Sequence, residues 1–310
     1  MDGNRNGTAG PPLVTAGEWF AGGQRIAYDP ESAQVLTEEE AAAAPGRLRV
    51  FERVAAAGRD TDADAVWLTM LPGFPDGSYG WARVDRMLGE TLGPRLYVEP
   101  VGQGDSDKPR DYQYSTIERA DLVQALWRHH DVRRTVVVTF DYTSLALLEL
   151  LRRQLEGTLA RPAITAAFMV NGGLFADAHT HPWRTTPMLR TPLGALGMQR
   201  AQRSPRGFDA TMLQARLYSR DYHPTQAELA ELRSAITRRD GAAFLHRAAG
   251  FTAEHRCHAQ RWDLAAPATS VARSPSTSAA ASRTPTSTGR SRPPANACRR
   301  PRSSPSPAAT

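Results

Sequence analysis

The chain has 310 residues, 41% of them hydrophobic, which suits one large domain or two small ones around an ordinary core. Its net charge of +6 is uneven: residues 264–310 hold seven Arg and no Lys, Asp, Glu or aromatic, so residues 1–263 sum to −1. A near-neutral body gives no reason to expect nucleic acid or a membrane as partner, the two cysteines (Cys257 and Cys298) make no disulfide framework, and no apolar run reaches the roughly 18 residues of a membrane span, so a cytoplasmic protein is expected.

Residues 1–16 read as a flexible lead-in. Trp19 to Tyr28 and Leu48 to Val54 have strand character, separated by the Glu/Ala-rich stretch Thr37 to Ala44, a surface loop or a short helix. Ala65 to Leu71 is an apolar run ending in Pro72-Gly73-Phe74-Pro75, and Trp81 to Leu92 carries apolar residues at helical spacing, which together make a β-α unit. Arg95 to Glu99 predicts another short strand, followed by the turn-rich segment Gly102 to Pro109, in which Asp105 and Asp107 suit turn-forming side chains that bond local amides. Ser115 and Glu118 form a capping box for a helix over Thr116 to His129, because each side chain can satisfy an orphan amide.

Thr135 to Thr139 reads as a buried strand, Thr143 to Leu155 as a helix, and Ala163 to Val170 as a strand closed by Asn171-Gly172-Gly173. Strands alternating with helices imply a doubly wound, mostly parallel sheet. After Phe175 the pattern changes to helices without strands, one of them opened by a second capping box at Thr225 and Glu228, which predicts a helical cap over 176–263 on a core over 17–175.

Asp141 stands where a Val/Thr/Phe strand turns abruptly into a Leu-rich helix. Such a strand-turn-helix setting can hold an attacking carboxylate clear of the sheet; the plainer alternative is a carboxylate that ends a strand or caps a helix. In order along the chain stand Gly73-Phe-Pro-Asp-Gly-Ser-Tyr-Gly-Trp81, Gly102-Gln-Gly-Asp-Ser-Asp-Lys-Pro109, Tyr114 to Val123, Asp141-Tyr142, and Asn171 to Phe175. In register, these segments resemble the epoxide hydrolase and haloalkane dehalogenase branch of the α/β-hydrolases, and most of all mesoderm-specific transcript-like hydrolases, over roughly residues 17–264.

The resemblance implies an α/β-hydrolase fold and a two-step hydrolysis of a small apolar electrophile, with no cofactor and no metal. Asp141 would be the nucleophile and would form an alkyl-enzyme ester. The backbone amides of Phe74 and Tyr142 would be the oxyanion hole. Tyr218 and Tyr222, in the predicted cap, are candidate substrate-binding hydroxyls or simple packing residues, while Trp81 and Trp127 suit core positions better than halide ligands. His179 and His181 lack the carboxylate or cysteine pattern of a metal site, and His255 and His258 fall in the predicted cap.

The chain departs from the family pattern at Pro72 and Phe140, each in place of a histidine, and at Thr143, in place of a small residue, where a β-branched side chain is expected to crowd the turn. The acid and histidine that should follow the nucleophile do not: the last acidic residue is Asp263 and the last histidine His258. The chain therefore reads as truncated before the last two strands, with impaired turnover, the alternative being a non-catalytic binder of a small molecule or a partner. Residues 264–310 read as a disordered tail, either genuine low-complexity sequence or a shifted reading frame. Codon degeneracy lets the shifted frame encode an Asp-Pro over 273–288 and a Gly-Gly-His over 295–310.

Overall fold

The computed structural model describes residues 12–44, 46–56, 62, 64–90, 92–159, 161–175, 191–214, 218, 222–248, 254–255 and 257–262. The tail over 264–310, the histidines at 179 and 181, and most of the lead-in lie outside the described residues.

The strands are β1 (Gln24–Asp29), β2 (Gln34–Leu36), β3 (Leu48–Ala55), β4 (Val66–Leu71), β5 (Arg95–Val98), β6 (Arg134–Phe140) and β7 (Ala163–Val170), ordered β2-β1-β3-β5-β4-β6-β7 in one sheet. β3 is antiparallel to β1 and β5, while β5, β4, β6 and β7 are parallel. The mixed, mostly parallel sheet expected from the strand-helix alternation is therefore present.

β6 forms because Thr135, Val137 and Thr139, all β-branched, share one buried face of the pleat. The Thr135 hydroxyl lies 2.8 Å from that of Thr69 on β4, which in turn accepts from the Trp127 indole at 2.8 Å. Trp127 thus belongs to the core. It lies on α4 (Thr116–His129), whose N-terminus carries the predicted capping box: Ser115 Oγ accepts from the Glu118 amide at 3.1 Å and Glu118 accepts from the Ser115 amide at 2.9 Å. α5 (Thr143–Leu155) follows β6 directly and buries Leu145, Leu147, Leu148, Leu150 and Leu151.

One local expectation fails. Trp19 and Phe20 lie in a short helix, α1 (Ala16–Ala21), and β1 begins only at Gln24. The cause is a capping box of Thr15 and Glu18, which starts a helix inside the expected lead-in and buries both aromatics. The Glu/Ala stretch similarly becomes α2 (Glu38–Ala43), capped by Thr37 and Glu40.

Beyond β7 the described residues form helices and no strand: α6 (Pro192–Arg203), α7 (Pro205–Gln214), α8 (Gln226–Thr237) and α9 (Gly241–Ala248). α8 has its predicted Thr225/Glu228 box and docks on α1, where the Ala16 amide donates to Glu231 at 2.7 Å and Ala235 packs with Trp19, Phe20 and Tyr79. β7 is the outer strand of the described sheet, and Phe168 and Val170 on it are 58% and 47% exposed. This is the edge on which the sequence reading expects two further strands.

Candidate active site

The β6-α5 junction turns at Asp141, whose φ of +59° is left-handed, a conformation that costs a non-glycine residue about 1–3 kcal/mol. Neighbouring backbone holds it there: the Asp141 amide donates to the Val170 carbonyl at 2.9 Å and its carbonyl accepts from the Ser144 amide at 3.2 Å. Thr143 does not crowd the turn as its branching suggests. Its hydroxyl donates to the Phe140 carbonyl at 3.0 Å and lies 3.3 Å from the Leu71 carbonyl, so the extra atoms tie the elbow to β4.

The Asp141 carboxylate accepts from the Phe74 amide at 3.1 Å and from the amide of Tyr142. Asp141, Phe74 and Tyr142, which the family resemblance assigns to one site, thus converge on one carboxyl group. Burial raises the Asp141 pKa, opposed by the two amides and by the positive charge of Arg119. Arg119 is buried, with its guanidinium 4.4 Å from the centre of the Tyr142 ring. The sequence reading did not single it out, because an arginine within an amphipathic helix gives no sign of facing inward.

A second carboxyl adjoins the first. Asp76 is pushed up to about 6, first by burial and then by the negative charge of Asp141. It lines a cavity of about 490 Å³ together with Tyr79, Arg83, Tyr218, Tyr222 and Leu232, between the 3-10 turn Gly77–Trp81, helix α3 (Ala82–Leu88) and α8. The two candidate substrate tyrosines therefore share this cavity with Asp76, their rings 5.9 Å apart, whereas Asp141 is not among its lining residues. Tyr222 donates to Glu228 and accepts from Arg83 at 3.0 Å, so its hydroxyl is engaged. The Tyr218 hydroxyl is pushed up to about 12 by burial and then by the charge of Asp76.

Close after Phe74 in the chain, Ser78 is held by Glu99. This buried carboxylate accepts from the Ser78 amide at 3.1 Å and the Ser78 hydroxyl at 2.5 Å, and burial still raises it to about 7. Gly77 (φ +64°) and Gly104 (φ +43°) enclose it so closely that a Cβ on either would fall 2.1 Å or 2.5 Å from a Glu99 carboxyl atom. One glycine of each N-terminal motif, Gly77 and Gly104, is thus explained by the buried carboxylate between them. Asp105 and Asp107 act over longer range than turn formers: Asp105 pairs with Arg238 at 3.1 Å, and Asp107 pairs with Arg25 and accepts from the Arg49 amide at 2.8 Å. Trp81 packs edge-on against Phe140, ring centres 6.5 Å apart. His255 and His258 lie 6.4 and 5.1 Å from the Trp262 ring.

No protein-family model matches the chain. An α/β hydrolase fold protein from Burkholderia ambifaria superposes with a TM-score of 0.51 at 19% identity, over 69% of this chain and 72% of that one. The chain has the α/β-hydrolase fold. The epoxide hydrolase CorEH superposes with a TM-score of 0.50 at 16% identity, covering 69% of this chain and 74% of its own. In sequence, the chain is 34% identical over 114 residues to the mesoderm-specific transcript protein of Mus musculus, 36% of this chain. That match spans 34% of the relative's length.

Proposed function

We propose that this α/β-hydrolase attacks a small apolar electrophile, an epoxide or ester in preference to a haloalkane, through the Asp141 carboxylate. The observation that carries the reading is the carboxylate held by the Phe74 and Tyr142 amides on a left-handed elbow. One carboxyl oxygen attacks an epoxide carbon, the ring C–O bond breaks, and the ring oxygen takes a proton as the alkyl-enzyme ester forms. The same two amides then face the ester carbonyl oxygen, where negative charge develops when water adds. Tyr218, which lines the cavity beside Asp76, is assigned as proton donor to the ring oxygen. Tyr222 is assigned to shape the substrate cavity, and the helices of 191–248 to serve as its cap.

Water must lose a proton to a general base as it attacks the ester, and residues 264–310 supply no acid and no histidine for it. For the 310-residue chain, release is assigned as the slower step. Mixing the protein with an epoxide should give a stoichiometric burst of ring opening without sustained turnover. Steady turnover would overturn the impairment, and the lack of a burst would overturn the nucleophile. The competing reading, a non-catalytic binder of a small molecule or partner, draws on the apolar Pro72 and Phe140 beside the elbow and predicts binding with no covalent adduct.

A further inference from the structure

At the other end of β6 from Asp141, α4 ends in two successive histidines above a carboxylate that has no part in the proposed chemistry. Glu52, in the middle of β3, is fully buried. Its Oε2 lies 2.8 Å from His130 Nε2, and its Oε1 accepts from the Gln24 side-chain Nε2 at 3.0 Å. The His129 ring stands beside that of His130, centre to centre 4.8 Å and nearly perpendicular, and one donor atom from each of Glu52, His129 and His130 lies within 4.8 Å of the others.

We propose that Glu52, His129 and His130 bind a single divalent cation of the zinc class. Two imidazoles and a carboxylate are a common donor set for zinc, and donor atoms about 2.0–2.1 Å from a tetrahedral ion are about 3.3 Å apart. The Glu52–His130 pair needs to open by about half an ångström to reach that spacing, and His129, exposed to solvent, can turn its ring to close the rest. The supports of a metal site are in place. Gln24 fixes the carboxylate through its non-ligating oxygen, Trp67 stacks on the His130 ring with centres 5.8 Å apart, and the C-terminal end of α4 carries the partial negative charge that favours a cation. On binding, the ion takes the place of the proton between Nε2 and Oε2, which passes to solvent. The fourth position, on the side of exposed His129, is left to water.

Cobalt(II) is a direct probe, because tetrahedral coordination gives it strong visible absorption. Untagged full-length protein stripped with chelator should bind one equivalent of Co²⁺ with that absorption, and Zn²⁺ should displace it. His129→Ala should weaken binding at least about tenfold, with its unfolding temperature unchanged in the absence of metal, since the ring is exposed. Glu52→Gln should weaken it as much, Gln24→Ala less, and Asp141→Asn not at all. Binding of Co²⁺ without the tetrahedral spectrum, the absence of saturable binding, or equal affinity in His129→Ala would each overturn the proposal.

Discussion

The elbow and the helical region beside it are held by different means. Around Asp141 the positions are set by backbone: a left-handed residue, amides donated from Phe74 and Tyr142, and the Val170 carbonyl that closes the turn. The helices over 191–248 are attached by side chains, through Arg238 with Asp105, Arg83 with Tyr222 and Glu228, and Glu231 with the α1 amide. The segment at 254–262 follows the second pattern, since Arg261 and the Trp262 indole both donate to Glu149 on α5. Backbone-set geometry tolerates substitution of the side chains around it; side-chain attachment fails one residue at a time.

The largest effect should come from breaking the backbone-set region where its glycines leave no room. Gly77→Ala places a Cβ 2.1 Å from Glu99 Oε1 at a φ of +64°. It should cost about 3 kcal/mol, read as a lower denaturation midpoint.

Next is Glu149, the main tie of the other kind. Burial alone would raise its pKa, but hydrogen bonds from Arg261, Arg152, Trp262 and Arg153 outweigh it and hold the carboxyl far below its ordinary 4.5. A depressed folded-state pKa gives stability that is fully present above that unfolded value and is lost as pH falls below it. Glu149→Gln should therefore destabilise the protein by about 2–3 kcal/mol at neutral pH and by less near pH 3, where the unfolded carboxyl is protonated while the folded one stays ionised. An equal loss at both pH values would mean that the arginine pairs contribute nothing.

A smaller effect should follow at Asp76. Asp141 helps to raise the Asp76 pKa to about 6, so the alkylation rate should carry an inflection near that pH that disappears in Asp76→Asn. That profile comes from burst rates measured between pH 4 and 8, around the Asp76 value of about 6. The smallest change is expected for Tyr222→Phe, which loses surface hydrogen bonds to Glu228 and Arg83 and should cost less than about 1 kcal/mol.

The same division decides what the sequence made legible. The sheet, the capping boxes at Ser115 and Thr225 and the elbow at Asp141 follow from periodicity, caps and an abrupt strand-to-helix change, all local in the chain. Trp19 and Phe20 were misplaced because a strand-like composition outweighed a three-residue capping signal at Thr15 and Glu18. Asp76, Arg119 and Glu99 escaped notice because their roles come from burial and long-range neighbours: Asp76 close to Asp141, Arg119 against Tyr142, and Glu99 between two glycines 27 positions apart in the chain. Asp105 and Asp107 were read as local turn formers for the same reason, although their partners Arg238 and Arg25 are distant in sequence.

Locating a covalent adduct tests the central claim most directly. After incubation with a small aryl epoxide, intact mass should rise by one epoxide per chain, and peptide mapping should place the added mass on Asp141. Asp141→Asn should remain unmodified. An unmodified parent, or an adduct that persists on another residue in Asp141→Asn, would contradict the account of a nucleophilic elbow.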